Sequence, residues 1–264
     1  MTAAIEVVGV SKSFRIPHEQ RTYLKEYFLH PFRRTTYERN EALQDVTFSV
    51  EAGEFFGVFG PNGSGKSTLL RILAGIYVPD TGLVRVNGLL SPFIELGVGF
   101  NVELNARDNI RINATLAGLT RRELDSKFDE ILEFSELERF VDQKLKNYSS
   151  GMLMRLAYSI AIQIPFDVLL LDEVLAVGDQ SFQQKCFATF DELRSAGKTV
   201  VLVTHDLGSA EKYCDRVLLL DYENDQYIGA AETTIGVYRQ RQAVRERNVA
   251  KQHPHGNVVE SLSG

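Results

Sequence analysis

The richest chemistry in the sequence lies in nine residues, Gly60-Pro61-Asn62-Gly63-Ser64-Gly65-Lys66-Ser67-Thr68. They satisfy the phosphate-loop pattern G-x-x-x-x-G-K-[ST]. Its glycines let the backbone curl until several N–H groups point at phosphate oxygens, and the start of the next helix adds a favourable dipole. In that setting Lys66 brings a point charge to the β and γ phosphates, and Ser67 offers a hydroxyl to Mg²⁺. A Gly-rich turn before a helix is the plainer reading; the full pattern, between a predicted strand and a predicted helix, favours a nucleotide. A second motif is Val168-Leu169-Leu170-Leu171-Asp172-Glu173. Four apolar residues make a buried strand, and two carboxylates sit at its carboxyl end, where ligands bind in open α/β sheets. Asp172 can hold Mg²⁺ through water, and Glu173 can polarise the attacking water. Alone, such a run often marks only a strand end with solvated acids; beside a phosphate loop it points to hydrolysis.

The elements that must position these residues alternate. Ile5 to Val10 and Phe55 to Phe59 read as strands, as do Val46 to Val50 and Leu83 to Asn87, while residues 16 to 41 read as irregular, with Pro17, Pro31 and many charges. Lys66 opens a helix reaching about Gly75. From about Ala106 to Ile164 the pattern turns helical, and strands return at Val168 to Leu171, Val200 to Val203 and Val217 to Asp221, with a helix from Gln180 to Ser195. This order predicts an α/β fold: a parallel sheet with crossover helices, interrupted by a helical insert.

Composition limits the alternatives. At 264 residues the chain can bury a sizeable core without staples. Its two cysteines, Cys186 and Cys214, are too sparse for a disulfide framework. A net charge of -6 argues against a general nucleic-acid binder. The longest apolar runs fall well short of the roughly 20 residues that cross a bilayer, so service at a membrane would need another chain.

Between the two motifs stands Tyr148-Ser149-Ser150-Gly151-Met152, ahead of a helical run from Leu153 to Ile164. A serine there suits the N-cap of that helix. With this segment the chain resembles the ABC ATPases, phosphate-loop proteins whose signature reads Leu-Ser-Gly-Gly-Gln just before the strand with the paired acids. Ser149 and Gly151 match, while Tyr148, Ser150 and Met152 depart. The resemblance implies that Ser149 and Gly151 touch the γ-phosphate of ATP held by a second copy. It makes His205, at the end of Val201-Leu202-Val203-Thr204-His205-Asp206, the switch histidine at the γ-phosphate, and Ala176-Val177-Gly178-Asp179 the D-loop along the dimer seam. Phe14 becomes the candidate for stacking on adenine, a plain core phenylalanine being the competing reading. The family's glutamine after the first helix is missing; Glu95, in Pro92-Phe93-Ile94-Glu95-Leu96-Gly97-Val98-Gly99-Phe100, lies nearest that position and is the expected surrogate at the metal.

The departures narrow the resemblance. Glu95 to Phe100, Tyr148 to Met152, and Leu171-Asp172-Glu173-Val174-Leu175-Ala176-Val177-Gly178-Asp179 look like the ATPases that export lipid-linked O-antigens, teichoic acids or galactans. The implied organisation is an ABC ATPase domain over residues 1–235, β-rich at its start, with a helical subdomain at about 100–165. A basic helix and tail follow over 236–264, without a carbohydrate-binding domain. Tyr23, Leu24, Tyr27 and Phe28 recur at helical spacing among Arg21, Lys25 and Glu26, so residues 21–31 form either a helix packed on its own domain or one lying at the membrane interface. Expected partners are a second copy, polytopic permease subunits at the cytoplasmic face of the inner membrane and, through them, a lipid-linked glycan, with no nucleic acid. Other ABC transporters, for lipid or drug export or for import, and a soluble ABC ATPase are the competing readings.

Overall fold

A computed structural model describes residues 3–17, 37–93, 99–172, 180–221 and 225–252. The strands are β1 (Ala3–Pro17), β2 (Tyr37–Glu51), β3 (Phe55–Phe59), β4 (Thr81–Val86), β5 (Leu90–Phe93), β6 (Val168–Asp172), β7 (Thr199–Thr204), β8 (Arg216–Leu220) and β9 (Gln226–Ala230). The helices are α1 (Lys66–Leu73), α2 (Ala106–Leu116), α3 (Arg121–Ser135), α4 (Ser150–Gln163), α5 (Gln180–Ser195), α6 (Leu207–Tyr213) and α7 (Ala231–Gln252). Among the described residues β2-β1-β4 form an antiparallel sheet, and β5-β6-β7-β3-β8-β9 a second sheet. The first five strands of the second sheet are parallel, and β9 closes its edge antiparallel to β8.

Covered on both faces, the central strands read as continuous apolar runs, as parallel strands do. Their side chains still alternate. Phe55, Phe59, Leu169, Leu171, Val200 and Leu202 enter one core with α5 and α7, and Phe56, Val58, Val168, Leu170, Val201 and Val203 enter the other. The second core also takes Leu69, Leu70, Ile72 and Leu73 of α1 and the inner face of the antiparallel sheet, with Phe48 stacked on Phe56 at 5.1 Å. The phosphate loop and its helix are thus clamped between two sheets. A third cluster joins α2, α3 and α4 through Ile110, Ile131, Leu156 and Ile160.

Helix α4 links the helical part to the sheet. One face gives Leu156 and Ile160 to the helical cluster, and the other gives Met154 and Tyr158 to the sheet core. The Tyr158 hydroxyl bonds Thr189 of α5 at 2.6 Å, and its ring packs edge-on against Phe93 and Phe182. Helix starts follow local chemistry. Asn105 caps α2 by accepting from the Asp108 amide, and Thr120 with Glu123 closes a capping box on α3.

The expected irregular stretch at 16–41 needs correction at both ends. β1 runs on to Pro17, and β2 begins at Tyr37, with Phe14 opposite Asn40 and Pro17 opposite Tyr37. The outer half of β2 is exposed and polar, so no apolar alternation marks it. Strand β5 also lacks that signal. It contains Pro92, tolerated because β5 lies at the sheet edge. Residues 21–31 lie outside the described residues.

Candidate ATP site

Three adjacent strands bring the candidate residues together. In the order β6-β7-β3, β6 ends at Asp172, β7 leads into His205, and β3 leads into Gly60. Their register is level: Phe59 pairs with Thr204, and Asp172 with Val203. With neighbouring strands about 4.8 Å apart, Asp172 stands two strand spacings from the phosphate loop, and His205 stands between them. Glu173 follows Asp172 directly in sequence but lies outside the described residues, as do Glu95 and the stretch Ala176 to Asp179.

The loop needs its glycines for space as well as for curvature. A Cβ at Gly60 would come within 1.9 Å of the Leu220 carbonyl oxygen, and one at Gly65 within 2.2 Å of the Ala42 carbonyl oxygen. Gly65 also adopts a left-handed φ of 95° as the N-cap of α1, and it has no side chain with which to cap the first-turn amides. Those amides suit an anion. The buried Lys66 ammonium is centred by the loop itself, donating to the carbonyls of Gly60 at 2.8 Å and Pro61 at 2.9 Å. The Ser64 hydroxyl oxygen is buried and finds no hydrogen-bond partner among the described residues. Asn62, Gly63 and Ser67 are exposed at the mouth, with Thr68 half-buried behind them. A cradle of amides around a fixed ammonium fits a polyphosphate. The Ser67 hydroxyl and the Asp172 carboxylate are hard oxygen donors of the kind that hold Mg²⁺ together with phosphates and water.

His205 is exposed and held from both sides in the chain. Thr204 Oγ1 accepts from the Asp206 amide at 3.0 Å, and Asp206 caps α6 by accepting from the amides of Gly208 and Ser209. The Ser209 hydroxyl, first, and then these amides hold the Asp206 carboxyl below its usual range, so it stays an ionised cap.

Phe14 is not a buried core residue. It is half-buried on β1, edge-on to Tyr77 with ring centroids 5.6 Å apart. Its position ties it to the loop, because Lys12, two residues earlier, pairs with Leu43, and Ala42 and Leu43 abut Gly65. Sequence reasoning overlooked what fixes this strand. Asp80 accepts from the Lys12 ammonium at 2.9 Å and from the amide and hydroxyl of Ser13 at 2.8 Å each. The Lys12 bond, above all, and then those from Ser13 lower the Asp80 carboxyl to about 2. The Pro79-Asp80 pair after the first helix, a turn-forming dipeptide, was the available signal.

Ser149 and Gly151 belong to a separate surface. Ser149 caps α4, its hydroxyl accepting from the Met152 amide at 3.2 Å, and it is exposed. Tyr148 beside it is buried and donates to the Phe140 carbonyl at 2.7 Å, which anchors the turn. Among the described residues, the first atom that a Cβ added at Gly151 would meet is Ser149 Oγ, at 3.9 Å. Nothing among the described residues of the protomer therefore demands a glycine there.

Comparison with known proteins gives a consistent result. A sequence model of the ABC transporter family matches residues 43–176. An O-antigen export system ATP-binding protein of Klebsiella pneumoniae is 40% identical over 246 residues, 92% of this chain and 100% of that protein. A teichoic acids export ATP-binding protein of Levilactobacillus brevis is 39% identical over 236 residues, 89% of this chain and 64% of that protein. Among solved structures, an ATP-binding subunit of an ABC transporter superposes with a TM-score of 0.71 at 24% identity, covering 87% of this chain and 90% of that one. A dimeric ATP-binding cassette bound to ADP and phosphate gives 0.69 at 23%, covering 86% and 98%. The fold, the phosphate cradle and full-length similarity to a transport ATPase agree, and the chain belongs to the ATP-binding proteins of ABC transporters, the subunits that hydrolyse ATP.

Proposed function

We propose that the chain powers export of a lipid-linked polysaccharide across the inner membrane, working as a pair of copies at its cytoplasmic face beneath polytopic permease subunits. The observation that carries this reading is the 40% identity to an O-antigen export ATP-binding protein along that protein's whole length. Similarity to teichoic acid export proteins extends it to the same class of cargo.

The backbone N–H groups of Asn62 to Thr68 and the Lys66 ammonium grip the β and γ phosphates, and Phe14 stacks on the adenine. Ser67 and Asp172 hold Mg²⁺, which when bound neutralises charge on those phosphates. Glu95 stands in for the family's glutamine near the metal. Glu173 orients a water whose oxygen attacks the γ-phosphorus. The bond to the β-phosphate oxygen breaks, ADP leaves, and the water's proton passes to the carboxylate. His205 donates a hydrogen bond to the γ-phosphate. Ser149 and Gly151 of the partner subunit close the site from the other side. The exposed cap and the open space at Gly151 support that role, because a phosphate can approach the backbone there. Neutralising and then releasing charge at this seam closes and opens the dimer, and the permease reads that motion.

An apolar cleft of about 330 Å³ supports a permease contact. It lies between β5, α2 and α4, lined by Leu89, Phe93, Phe100, Leu116 and Ile160, and Leu116 is 77% exposed. Phe93 and Gly99 on its wall bracket the Glu95 segment. The tyrosines of residues 21–31, set among arginine, lysine and glutamate, suit contact with lipid or permease. The test is copurification from membranes followed by ATP turnover measurements. A polytopic permease should come with the chain, and lipid-linked glycan should stimulate turnover. Turnover indifferent to glycan but raised by a drug or simple lipid would favour another ABC transporter, and a soluble chain without permease would favour a non-transport ATPase.

A further inference from the structure

The C-terminal helix α7 reaches the base of the phosphate loop by two routes. Tyr238 of α7 packs edge-on against Phe59, the residue before Gly60, with ring centroids 4.8 Å apart. The second route is electrostatic. Gly60 rests against the Leu220 carbonyl, so closely that no Cβ fits. That carbonyl belongs to the peptide unit whose N–H is that of Asp221, and this N–H donates to the Asp225 carbonyl at 2.8 Å. The Asp221 carboxylate is buried, its side chain 0% exposed. Arg245 Nη1 donates to its Oδ1 at 2.8 Å. Arg241 Nη1 lies 3.6 Å from its Oδ2 and 2.9 Å from the Asp225 carboxylate. Both arginines are on α7, at one-turn spacing on one face. The peptide under Gly60 is thus held by the Asp225 backbone, and the side chains of Asp221 and Asp225 are both paired with arginines of α7.

We propose that Asp221 is a positioning residue for the phosphate loop, and that Arg241 and Arg245, by holding it, make nucleotide affinity depend on the C-terminal helix. A buried carboxylate that loses its partner must either take up a proton or move toward water. Either response shifts the Leu220–Asp221 peptide, and Gly60 has no slack against it. Phosphate binding by converging amides is sensitive to such small displacements. The inference rests on Gly60 to Thr68 being the ATP phosphate site.

The test measures Mg-ATP affinity of the purified full chain, by displacement of a fluorescent ATP analogue, alongside its melting temperature. Arg245→Gln and Asp221→Asn should each weaken ATP binding roughly tenfold, the scale of a lost charged hydrogen bond. Arg245→Lys, which keeps the charge and one donor, should recover most of that loss. Arg239 supplies the control: it anchors the same helix to α6 through Glu211 at 3.2 Å, on an exposed rim away from Asp221. Arg239→Gln should leave ATP affinity unchanged. Affinities of Arg245→Gln and Asp221→Asn within about twofold of wild type, a difference well under one hydrogen bond, would overturn the inference. So would an equal loss in Arg239→Gln, which would mean that the helix only supports the fold. Should Arg245→Gln not fold, the isosteric Asp221→Asn carries the same test. Lys66→Ala separates the two levels. If it binds ATP normally, the phosphate-site reading itself fails; if it alone loses binding, only the positioning role does.

Discussion

In the proposed site Asp172 holds the metal and Glu173 the water, and substitutions should separate those two roles. Glu173→Gln is expected to bind Mg-ATP as wild type does but to turn over at least about tenfold more slowly, because the water-positioning base is gone. Nucleotide binding and single-turnover measurements check this, and turnover near wild type would remove Glu173 from its role. Asp80 acts on binding instead. Its carboxyl, lowered to about 2 by Lys12 and Ser13, ties the strand carrying Phe14 to the turn after α1. Because the folded value is depressed, the stabilisation is fully present above the unfolded value of about 3.9 and is lost as pH falls toward the folded value. Asp80→Asn should thus lower the urea midpoint at pH 7 and weaken ATP binding. The difference from wild type should shrink as pH drops below about 4. A difference independent of pH would mean that the carboxylate's charge is irrelevant.

At the scale of elements, the strand-to-loop junctions set the geometry. Gly60→Ala would drive a methyl group into the Leu220 carbonyl, so it should lower stability by about 1–3 kcal/mol or more and weaken ATP binding with it. Gly63→Ala meets no atom of the described residues within 4 Å and carries mainly the left-handed backbone penalty, about 1–2 kcal/mol. Chemical denaturation of the two variants side by side checks the contrast, and equal costs would refute it. Much of this scale was legible in the sequence. Phe55–Phe59 and Gln180–Ser195 have the observed limits because an unbroken apolar run and a 3.6-residue period mark them. The Gly60 to Thr68 pattern was legible because spacing alone defines it. β5 was hidden by Pro92 and the outer half of β2 by its polarity. The floor under Gly60 could not be read at all. Leu220 lies 160 residues further along the chain, and only the pairing of β3 with β8 brings the two together.

For the whole molecule, the proposed dimer joins the exposed Ser149 cap of one copy to the phosphate loop of the other in one site. Lys66→Ala damages one half of each shared site and Ser149→Arg the other. Mixing the two variants should therefore leave one intact site in each mixed dimer and restore part of the turnover that both pure variants lack. Normal hydrolysis by Ser149→Arg in the assembled transporter would refute the shared site. The decisive measurement joins hydrolysis to cargo: surface glycan, labelled on intact cells whose only copy of the chain carries Lys66→Ala. Surface glycan should disappear while its lipid-linked precursor accumulates inside. Glycan reaching the surface at the normal level, with the variant chain present and unable to hydrolyse ATP, would contradict the export reading.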